Sequence, residues 1–362
     1  MKGGGVGQAS LLDQGSKDAE VFDVVHARIL RFFPDLVDGL GGDPKILMQQ
    51  VGIHPERKLS GGKSGASYRQ MVHLIELAAT ELRCPDFGMR LATLQSGSGM
   101  FGPLGLVMKN SRTFGDALDY VSKHTYAHSL AARIWLKRFP ARRCVFVGHD
   151  ILLDRMPNRS QAMEQLLLVG HLAAVEITGG RARVRKVHFR HQPVSSLRTY
   201  RRYFGCAVRF GQNEDGVVFS ERDLACPIID PDSHIYQAAT SFIDAKFTRH
   251  RPPLHAQARG VIMQLLGTDH CTNDRIATEL NLHPRTMHRR LQAEGTSFQQ
   301  IKDEVRRDVM LYYLQQTNLA FALISERLGF AEQSVMTRSC KRWFSASPTK
   351  LRSHGSSRSP RD

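Results

Sequence analysis

Two stretches near the end of the chain share one pattern: DRIATELNLHPRTMHRRL at residues 274–291 and FALISERLGFAEQSVMTRSC at residues 321–340. In each stretch an Ile and a Leu four residues apart precede a tight turn and a second helical segment. Residues four apart lie on one face of a helix, so both stretches predict two short helices that pack together through that face. The pattern therefore predicts a helix-turn-helix unit that occurs twice.

The first unit shows where its two helices begin and how they pack. We expect Asn273 or Asp274 to cap the first helix, and Pro284 to open the second, where its missing N–H costs little. Met287 and Leu291 lie one turn apart and are predicted to pack back on the first helix. This arrangement leaves the polar face of the second helix free to enter the major groove of DNA.

The polar faces of the second helices are the predicted DNA-reading surfaces, because arginine can grip guanine through two hydrogen bonds. In the second unit Val335 or Met336 is predicted to face inward. A phosphate contact or a solvated face remains an alternative for every arginine, and a basic helix end is also favoured by the helix dipole alone. The outward residues are Arg285, Arg289 and Gln292 in the first unit and Gln333, Ser334 and Arg338 in the second, with Lys341 and Arg342 placed to reach a phosphate.

Between the units, SFQQIKDEVRRDVMLYYLQQT at residues 297–317 predicts one long helix that holds them apart, with Arg306 and Arg307 in salt bridges on it.

The part of the chain before these units contains both helical and strand patterns. Helices are predicted over Ser67–Leu82, Thr113–Ser129 (with a Thr113–Asp116 capping box) and Glu164–Gly180, which is apolar nearly all round, and strands over Arg142–Ile151, Arg183–Arg190 and, as a pair around a turn, Cys206–Ser220. The fold class is an α+β N-terminal domain followed by an all-α C-terminal domain with two helix-turn-helix units joined by a long helix.

These patterns divide the chain into five parts. We expect disordered tails at residues 1–18 and 353–362, the N-terminal domain at 19–232, a linker helix and break at 233–253, and the double helix-turn-helix domain at 254–352. The break is the Pro252–Pro253 pair, after which only helical patterns follow.

Composition narrows the class of partner. The 362 residues carry a formal charge of +16, which favours a polyanionic partner. This excess is spread over both halves, so the DNA prediction depends on the helix pattern. The six cysteines form no CxxC pair, the N-terminus lacks the apolar core of a signal peptide, and no apolar run is long enough to span a bilayer. We therefore expect a cytoplasmic protein with reduced thiols and no membrane partner.

No catalytic or metal site is predicted, and no cofactor. His124 and His128 have a spacing that can hold a metal, but no carboxylate or cysteine completes a set nearby. His149, Asp150 and Asp154 could suggest acid–base chemistry, although we expect them on a solvated loop. No nucleophile elbow and no phosphate-binding loop occurs. The basic cluster at residues 181–209, which includes Arg190, is expected to be a solvated face.

The C-terminal residues resemble the AraC/XylS family of bacterial transcription regulators, through IATELNLHPRTMHRRLQAEGTSF, VRRDVMLYYL and LISERLGFAEQSVMTRSCKRWFSASP in that order. The resemblance adds His288 to the reading candidates and implies double-stranded promoter DNA and RNA polymerase as partners. The chain departs from the family at Met336 and Cys340, where aromatic residues are usual, at Ser325, where alanine is usual, and at Ser345, where glycine is usual.

The N-terminal part, over about residues 24–225, resembles the arabinose-binding-like sensor domain of the same family, in FGPLGLVMKNSRTFGDALDYVSKHTYAHS and VHFRHQPVSSLRTYRRYFGCAVRFGQNEDGVVFS. It implies an unknown small-molecule effector and a homodimer. The segments Phe101–Met108 and Leu166–Val175 suggest an apolar pocket, and core packing explains them equally well.

Three functions remain open at this point. The first is a sequence-specific transcription regulator that responds to a small effector. The second is a DNA-binding module fused to a catalytic or methyl-accepting domain, for which Cys84 is the candidate thiol. The third is a non-specific nucleoid protein.

Overall fold

A computed structural model describes residues 27–53, 66–95, 97–153, 156, 158–247, 252–317 and 319–356. The predicted tail at 1–18 lies outside these residues, as do Asp154 and residues 357–362. The second tail is predicted to begin at 353, and the last described helix spans Pro348–Ser356. No helix in the described part of the chain is long and apolar enough to span a bilayer.

The N-terminal half is a mixture of helices and one sheet, as the sequence predicts. Ser67 and Thr113 cap their helices with capping boxes, the second through Asp116. In chain order the elements are α1 (Phe33–Gly39), α2 (Pro44–Gln50), α3 (Tyr68–Glu81), α4 (Phe87–Gln95), α5 (Pro103–Lys109), α6 (Phe114–His124), β1 (Ala132–Phe139), β2 (Cys144–Ile151), α7 (Ser160–Ile177), β3 (Lys186–His188), α8 (Leu197–Phe204), β4 (Ala207–Arg209), β5 (Gly216–Ser220), α9 (Glu221–Leu224) and α10 (Ser233–Phe247).

The five strands form one sheet in the order β1-β2-β5-β3-β4. Neighbours are antiparallel except β3 and β4, which are parallel. The two strands predicted within Cys206–Ser220 are present, but they are separated in the sheet by β3. Strand β1 is absent from the sequence prediction. Its residues alternate only weakly between buried and exposed, because its far end, from Lys137 to Phe139, has little cover.

Helix α7 is the central helix of this half. It is buried nearly all round, as its composition predicts, and residues such as Leu168, Ala173 and Ala174 have no exposed surface. After it, Gly179 and Gly180 both have positive φ angles, 62° and 77°, which glycine adopts without strain. The helix therefore ends where the sequence places its glycine pair.

Helix α10, the predicted linker helix, packs against the N-terminal half. Its Ala239 and Ile243 are buried in a small cluster with Leu104 and Val107 of α5. Beside this buried face, Ile235 and Phe242 are about half exposed, at 45% and 47%.

In the described residues of the C-terminal half, every regular element is a helix. The helices are α11 (Leu254–Leu265), α12 (Asn273–Glu279), α13 (Pro284–Ala293), α14 (Phe298–Gln316), α15 (Phe321–Arg327), α16 (Gln333–Phe344) and α17 (Pro348–Ser356). Two apolar clusters hold them, one around α12 and α13 and one around α15 and α16, and Val309 of α14 contacts both. The predicted caps Asn273 and Asp274 are wrong: Thr272 caps α12 by accepting the Arg275 N–H.

Candidate nucleic-acid interface and sensor cavity

The first recognition helix, α13, buries one face and exposes the other. Met287 and Leu291 are 0% and 1% exposed and belong to one cluster with Ile276 of α12. Asn281 has a φ of 53° in the turn, a left-handed conformation that asparagine tolerates better than most residues. The predicted reading residues Arg285, His288, Arg289 and Gln292 are all exposed.

Arg290 is also exposed on α13, and it was not among the predicted reading residues. It immediately follows Arg289, so its basic character was the available signal. Its placement adds a third exposed arginine to this helix, beside Arg285 and Arg289.

The second recognition helix, α16, repeats the arrangement. Met336 and Cys340 have no exposed surface, so the inward residue is Met336 rather than Val335. Gly329, with a φ of 64°, supplies the turn before it. The predicted outward residues Gln333, Ser334, Arg338, Lys341 and Arg342 are all exposed.

Helix α14 holds both units through side chains that reach their backbones. The Lys302 ammonium group donates to the carbonyl oxygen of Cys271 at 2.7 Å, just before α12. One turn later, Arg306 Nε donates to the carbonyl of Leu328 at 2.9 Å, and its guanidinium lies 4.6 Å from the centre of the Phe330 ring. The two units are thus fixed to one rigid element.

The salt bridges predicted for this helix are present. Arg306 lies 3.8 Å from Asp303, and Arg307 lies 3.7 Å from Asp308. The carbonyl contacts of Arg306 are additional, since C-terminal carbonyls of a short helix need donors from elsewhere.

Ser325 is a weak point in the second unit. It is 3% exposed, and its hydroxyl has no hydrogen-bond partner in the described part of the chain. A buried polar group without a partner destabilises the folded state. Ser345 has a φ of 53°, in the left-handed region that favours glycine, and glycine is the family's usual residue at this position.

We expect Ser325→Ala to stabilise the protein by about 1 kcal/mol, because it removes the unpartnered hydroxyl from the core. The measurement is the urea midpoint of the full chain. Ser334→Ala, at an exposed position, is the control and should change the midpoint little. A lower midpoint for Ser325→Ala would show that the hydroxyl is satisfied.

The two halves touch through a polar contact. Arg190 and Asp215 of the N-terminal half are 5% and 4% exposed, and their charged groups lie 3.8 Å apart. Arg190 lines a small space together with Arg259, Asp308 and Tyr312 of the C-terminal half. Arg259 and Asp308 form an ion pair at 2.5 Å that joins α11 to α14. A further link runs from the Arg327 guanidinium to the carbonyl of Gly211, at 2.7 Å.

Two predictions about the polar residues of this half are wrong. His149 and Asp150 lie on strand β2, which agrees with the strand predicted over Arg142–Ile151 and not with the solvated loop expected for these two residues; Asp150 is 4% exposed. Arg190 is buried, whereas the other arginines of the basic cluster are exposed. The cause is pairing across the fold, since Arg133 faces Asp150 in the sheet register and the Arg190 N–H donates to Asp215 at 2.7 Å.

An apolar cavity lies in the N-terminal half, between the sheet and helices α5, α6 and α7. Its volume is about 80 Å³, whereas one water needs roughly 10–15 Å³ on the same measure. Both segments suspected from the sequence contribute to it. They supply Phe101, Leu104, Met108, Leu166, Leu167, Val169 and Gly170 to its wall.

Other polar candidates have ordinary partners. The His124 ring stacks on Tyr120 at 3.9 Å between centroids and contacts its carbonyl oxygen at 2.8 Å. Among the residues the structure describes, no group of three or more His, Cys, Asp or Glu side chains is placed to hold a metal ion.

Comparison with known proteins gives matches in both halves. Residues 41–228 match the family described as the arabinose-binding domain of AraC transcription regulator, N-terminal, and residues 276–354 match a helix-turn-helix domain. The chain is 32% identical over 339 residues to the HTH-type transcriptional regulator VirS of Mycobacterium tuberculosis, covering 93% of this chain and 98% of that protein.

Two further matches are more distant. The ornithine utilization regulator of Pseudomonas aeruginosa is 24% identical over 341 residues, covering 92% of this chain and 97% of that protein. The crystal structure of the transcriptional regulator CdpR from Pseudomonas aeruginosa is 21% identical, covers 86% of this chain and 96% of that one, and has a TM-score of 0.41.

The order of the two domains, the paired helix-turn-helix units and the nearly full-length match to a regulator agree with one another. The predicted α+β sensor half and all-α DNA-binding half are confirmed. The chain belongs to the AraC family of transcription regulators.

Proposed function

We propose that this regulator reads its operator with the exposed faces of α13 and α16 and responds to a small effector held in the N-terminal half. The observation that carries the proposal is the equivalent construction of the two units. Each buries Met and another apolar residue one turn apart, and each exposes arginines on the opposite face. Both are fixed to α14, so they can enter successive major-groove segments on one face of DNA.

The roles of individual residues follow from their positions. Arg285, His288, Arg289 and Gln292 on α13, with Gln333, Ser334 and Arg338 on α16, are proposed to contact base edges. Lys341 and Arg342 lie in the last turn of α16 and are proposed to contact phosphates. Ser334 donates to Glu332 at 3.0 Å, which fixes its hydroxyl near the start of the helix.

We expect Arg289→Ala and Arg338→Ala each to cost about 1–3 kcal/mol in binding and to relax the base preference at one position. The two positions should lie one helical turn, about 10 bp, apart. Binding is measured by titration against the operator and against single-base variants of it. The matched control is Arg112→Ala, whose side chain is 88% exposed in the N-terminal half. Equal weakening on all sequences would contradict base reading and leave only phosphate contact.

The domain limits proposed for function are 19–232 for the sensor and 254–352 for DNA binding. The separate apolar clusters on either side of the Pro252–Pro253 break support this division. We also propose a homodimer, supported by the apolar side chains exposed on neighbouring helices, Leu106 on α5 and Ile235 and Phe242 on α10. Light scattering of the full chain tests the dimer, since a monomeric mass would reject it.

RNA polymerase as a partner and the cytoplasm as location are proposals that rest on membership in a family of transcription regulators. Transcription in vitro from an operator-bearing promoter tests the first, because a change that depends on bound regulator requires communication with the polymerase.

The methyl-accepting alternative has less support. Cys84 is 4% exposed, and burial raises the pKa of its thiol. A reactive cysteine needs a depressed pKa and access to its substrate. The relatives named above are regulators, which also favours a role without catalysis.

A further inference from the structure

The cavity between the sheet and helices α5 to α7 is apolar except at a few points. Most of its wall is aliphatic or aromatic, as at Phe114, Leu118 and Val217. Among the described residues that line it there is no Asp, Glu, Lys or Arg. The polar residues in the wall are Gln95, Thr125, His128, His149 and Gln165.

The hydrogen bonds of Gln95 determine the orientation of Gln165. The Gln95 amide nitrogen donates to the carbonyl oxygens of Ile29 at 2.7 Å and Arg31 at 3.0 Å. Its amide oxygen is therefore free to accept, and it accepts from the Gln165 nitrogen at 2.6 Å. Flipping Gln165 would set two amide oxygens against each other, so its own oxygen must be the atom left over.

That leftover oxygen has no partner. Gln165 is 1% exposed, and its Oε1 makes no hydrogen bond within the described residues. The Nε2 of His149, also in the wall, is likewise buried and without a hydrogen-bond partner there. Burial lowers the pKa of His149 to about 4, so its ring is neutral at pH 7 and offers no positive charge. Thr125 is already engaged, because its hydroxyl donates to the Val121 carbonyl at 2.9 Å.

We propose that the effector is an uncharged, mainly apolar small molecule whose one polar group, a hydroxyl or an amide N–H, donates to Gln165 Oε1 in this cavity, whose wall also contains His149. This deepens the proposed function and rests on it. An ionised carboxylate or ammonium group would lose its hydration in this cavity without meeting a counter-charge among the described wall residues, which is costly. An acceptor that is buried and unpartnered discriminates strongly against ligands that lack a donor.

The position of His149 also connects the cavity to the contact between the halves. Its backbone N–H donates to the carbonyl oxygen of Asp215 at 3.0 Å, and Asp215 pairs with Arg190 at the contact. A ligand that binds His149 thus contacts a residue that is hydrogen-bonded to Asp215, and Asp215 pairs with Arg190, which faces α11 and α14. Regulation by this ligand needs differential binding to two arrangements of that contact.

The test uses the full chain and four six-carbon probes that differ in one end group: 1-hexanol, 1-chlorohexane, hexanoate and hexylammonium, at pH 7.5. Binding is measured by calorimetry and by the shift of the melting temperature. We expect 1-hexanol to bind at least tenfold more tightly than each of the other three. Equal or tighter binding of hexanoate or hexylammonium, or no binding by any probe, would overturn the proposal.

Two variants separate the hydrogen bond from packing. Gln165→Leu should abolish the preference for 1-hexanol over 1-chlorohexane while both still bind. Gly170 lines the cavity, and a Cβ added there would meet no atom within 4 Å. Gly170→Met should therefore fill the space and abolish binding of every probe. If Gln165→Leu keeps the preference, the assigned acceptor is wrong.

DNA binding without any probe is measured on the same samples. If none of the probes binds but operator affinity is retained, only the proposed ligand class is rejected. If the parent chain shows no base preference, the proposed function itself is rejected. If the Gln165→Leu variant still recognises the operator, the variant is folded.

Discussion

Operator binding should weaken roughly 10³–10⁵-fold between 50 and 200 mM salt, since 6–10 phosphate contacts release their counterions on binding. The two recognition helices supply many of the cations required. Their exposed basic residues are Arg285, Arg289, Arg290, Arg338, Lys341 and Arg342. All six are exposed, and Arg342, whose side chain is 66% exposed, also lies 3.9 Å from Asp303.

The slope of log K against log salt can be divided among the individual residues that contact phosphates. Lys341→Ala and Arg342→Ala should each lower the slope of log K against log salt by about 1 without changing base preference. Arg112→Ala in the N-terminal half, which pairs with Asp116 at 3.5 Å, should leave the slope unchanged. A flat salt response of the parent chain would contradict the whole interface, because binding without counterion release does not involve the DNA backbone.

The largest expected effect on stability comes from Arg190→Ala, which should cost about 3–5 kcal/mol. Arg190 is buried near two buried carboxylates, Asp150 and Asp215, each 4% exposed. Burial raises the pKa of Asp150, and the Arg190 charge acts against that rise. Removing the guanidinium leaves both buried carboxylates without this counter-charge.

The control is a pair of the same chemistry at the surface. Arg143 lies 3.4 Å from Glu221, with side chains 75% and 46% exposed. Exposed pairs contribute little, so Arg143→Ala should cost at most about 1 kcal/mol. Both variants are compared by urea denaturation of the full chain. Similar small losses in the two would show that Arg190 is replaced by water and is not a structural counter-ion.

Arg190 also illustrates what the sequence could not predict. Its cluster contains many exposed arginines, and nothing in the neighbouring residues distinguishes it. Its burial depends on Asp215, which reaches it through the pairing of β3 and β5. The solvated loop expected for His149 and Asp150 is wrong for the same reason, because the burial of these residues comes from strands distant along the chain. Strand order is a long-range property that local periodicity does not contain.

The helix-turn-helix units were predictable because their signals are local. Met287 and Leu291 lie one turn apart on α13 and are buried together with Ile276 of α12, as the sequence predicts. The exposed faces of α13 and α16 then follow from geometry alone. The cap of α12 was assigned to the wrong residues because Thr272, Asn273 and Asp274 are all good caps in sequence, and only the backbone chooses among them.

The cavity was partly predictable. Its apolar segments are visible in the sequence, but the Gln95–Gln165 hydrogen bond joins residues 70 positions apart. The orientation of these two amides determines which polar group of a ligand the cavity can bind, and it depends on the packing of α4 against α7. A sequence pattern can therefore suggest a pocket without indicating what the pocket recognises.

The two helix-turn-helix units are proposed to read DNA sequence together. The most direct measurement is selection of bound DNA by the full chain from a pool of random duplexes, followed by sequencing. We predict enrichment of one motif with two short blocks whose centres lie about 10 bp apart. Enrichment of no motif would contradict the claim and favour a non-specific DNA-binding protein, and a single block would show that one of the two units does not read sequence.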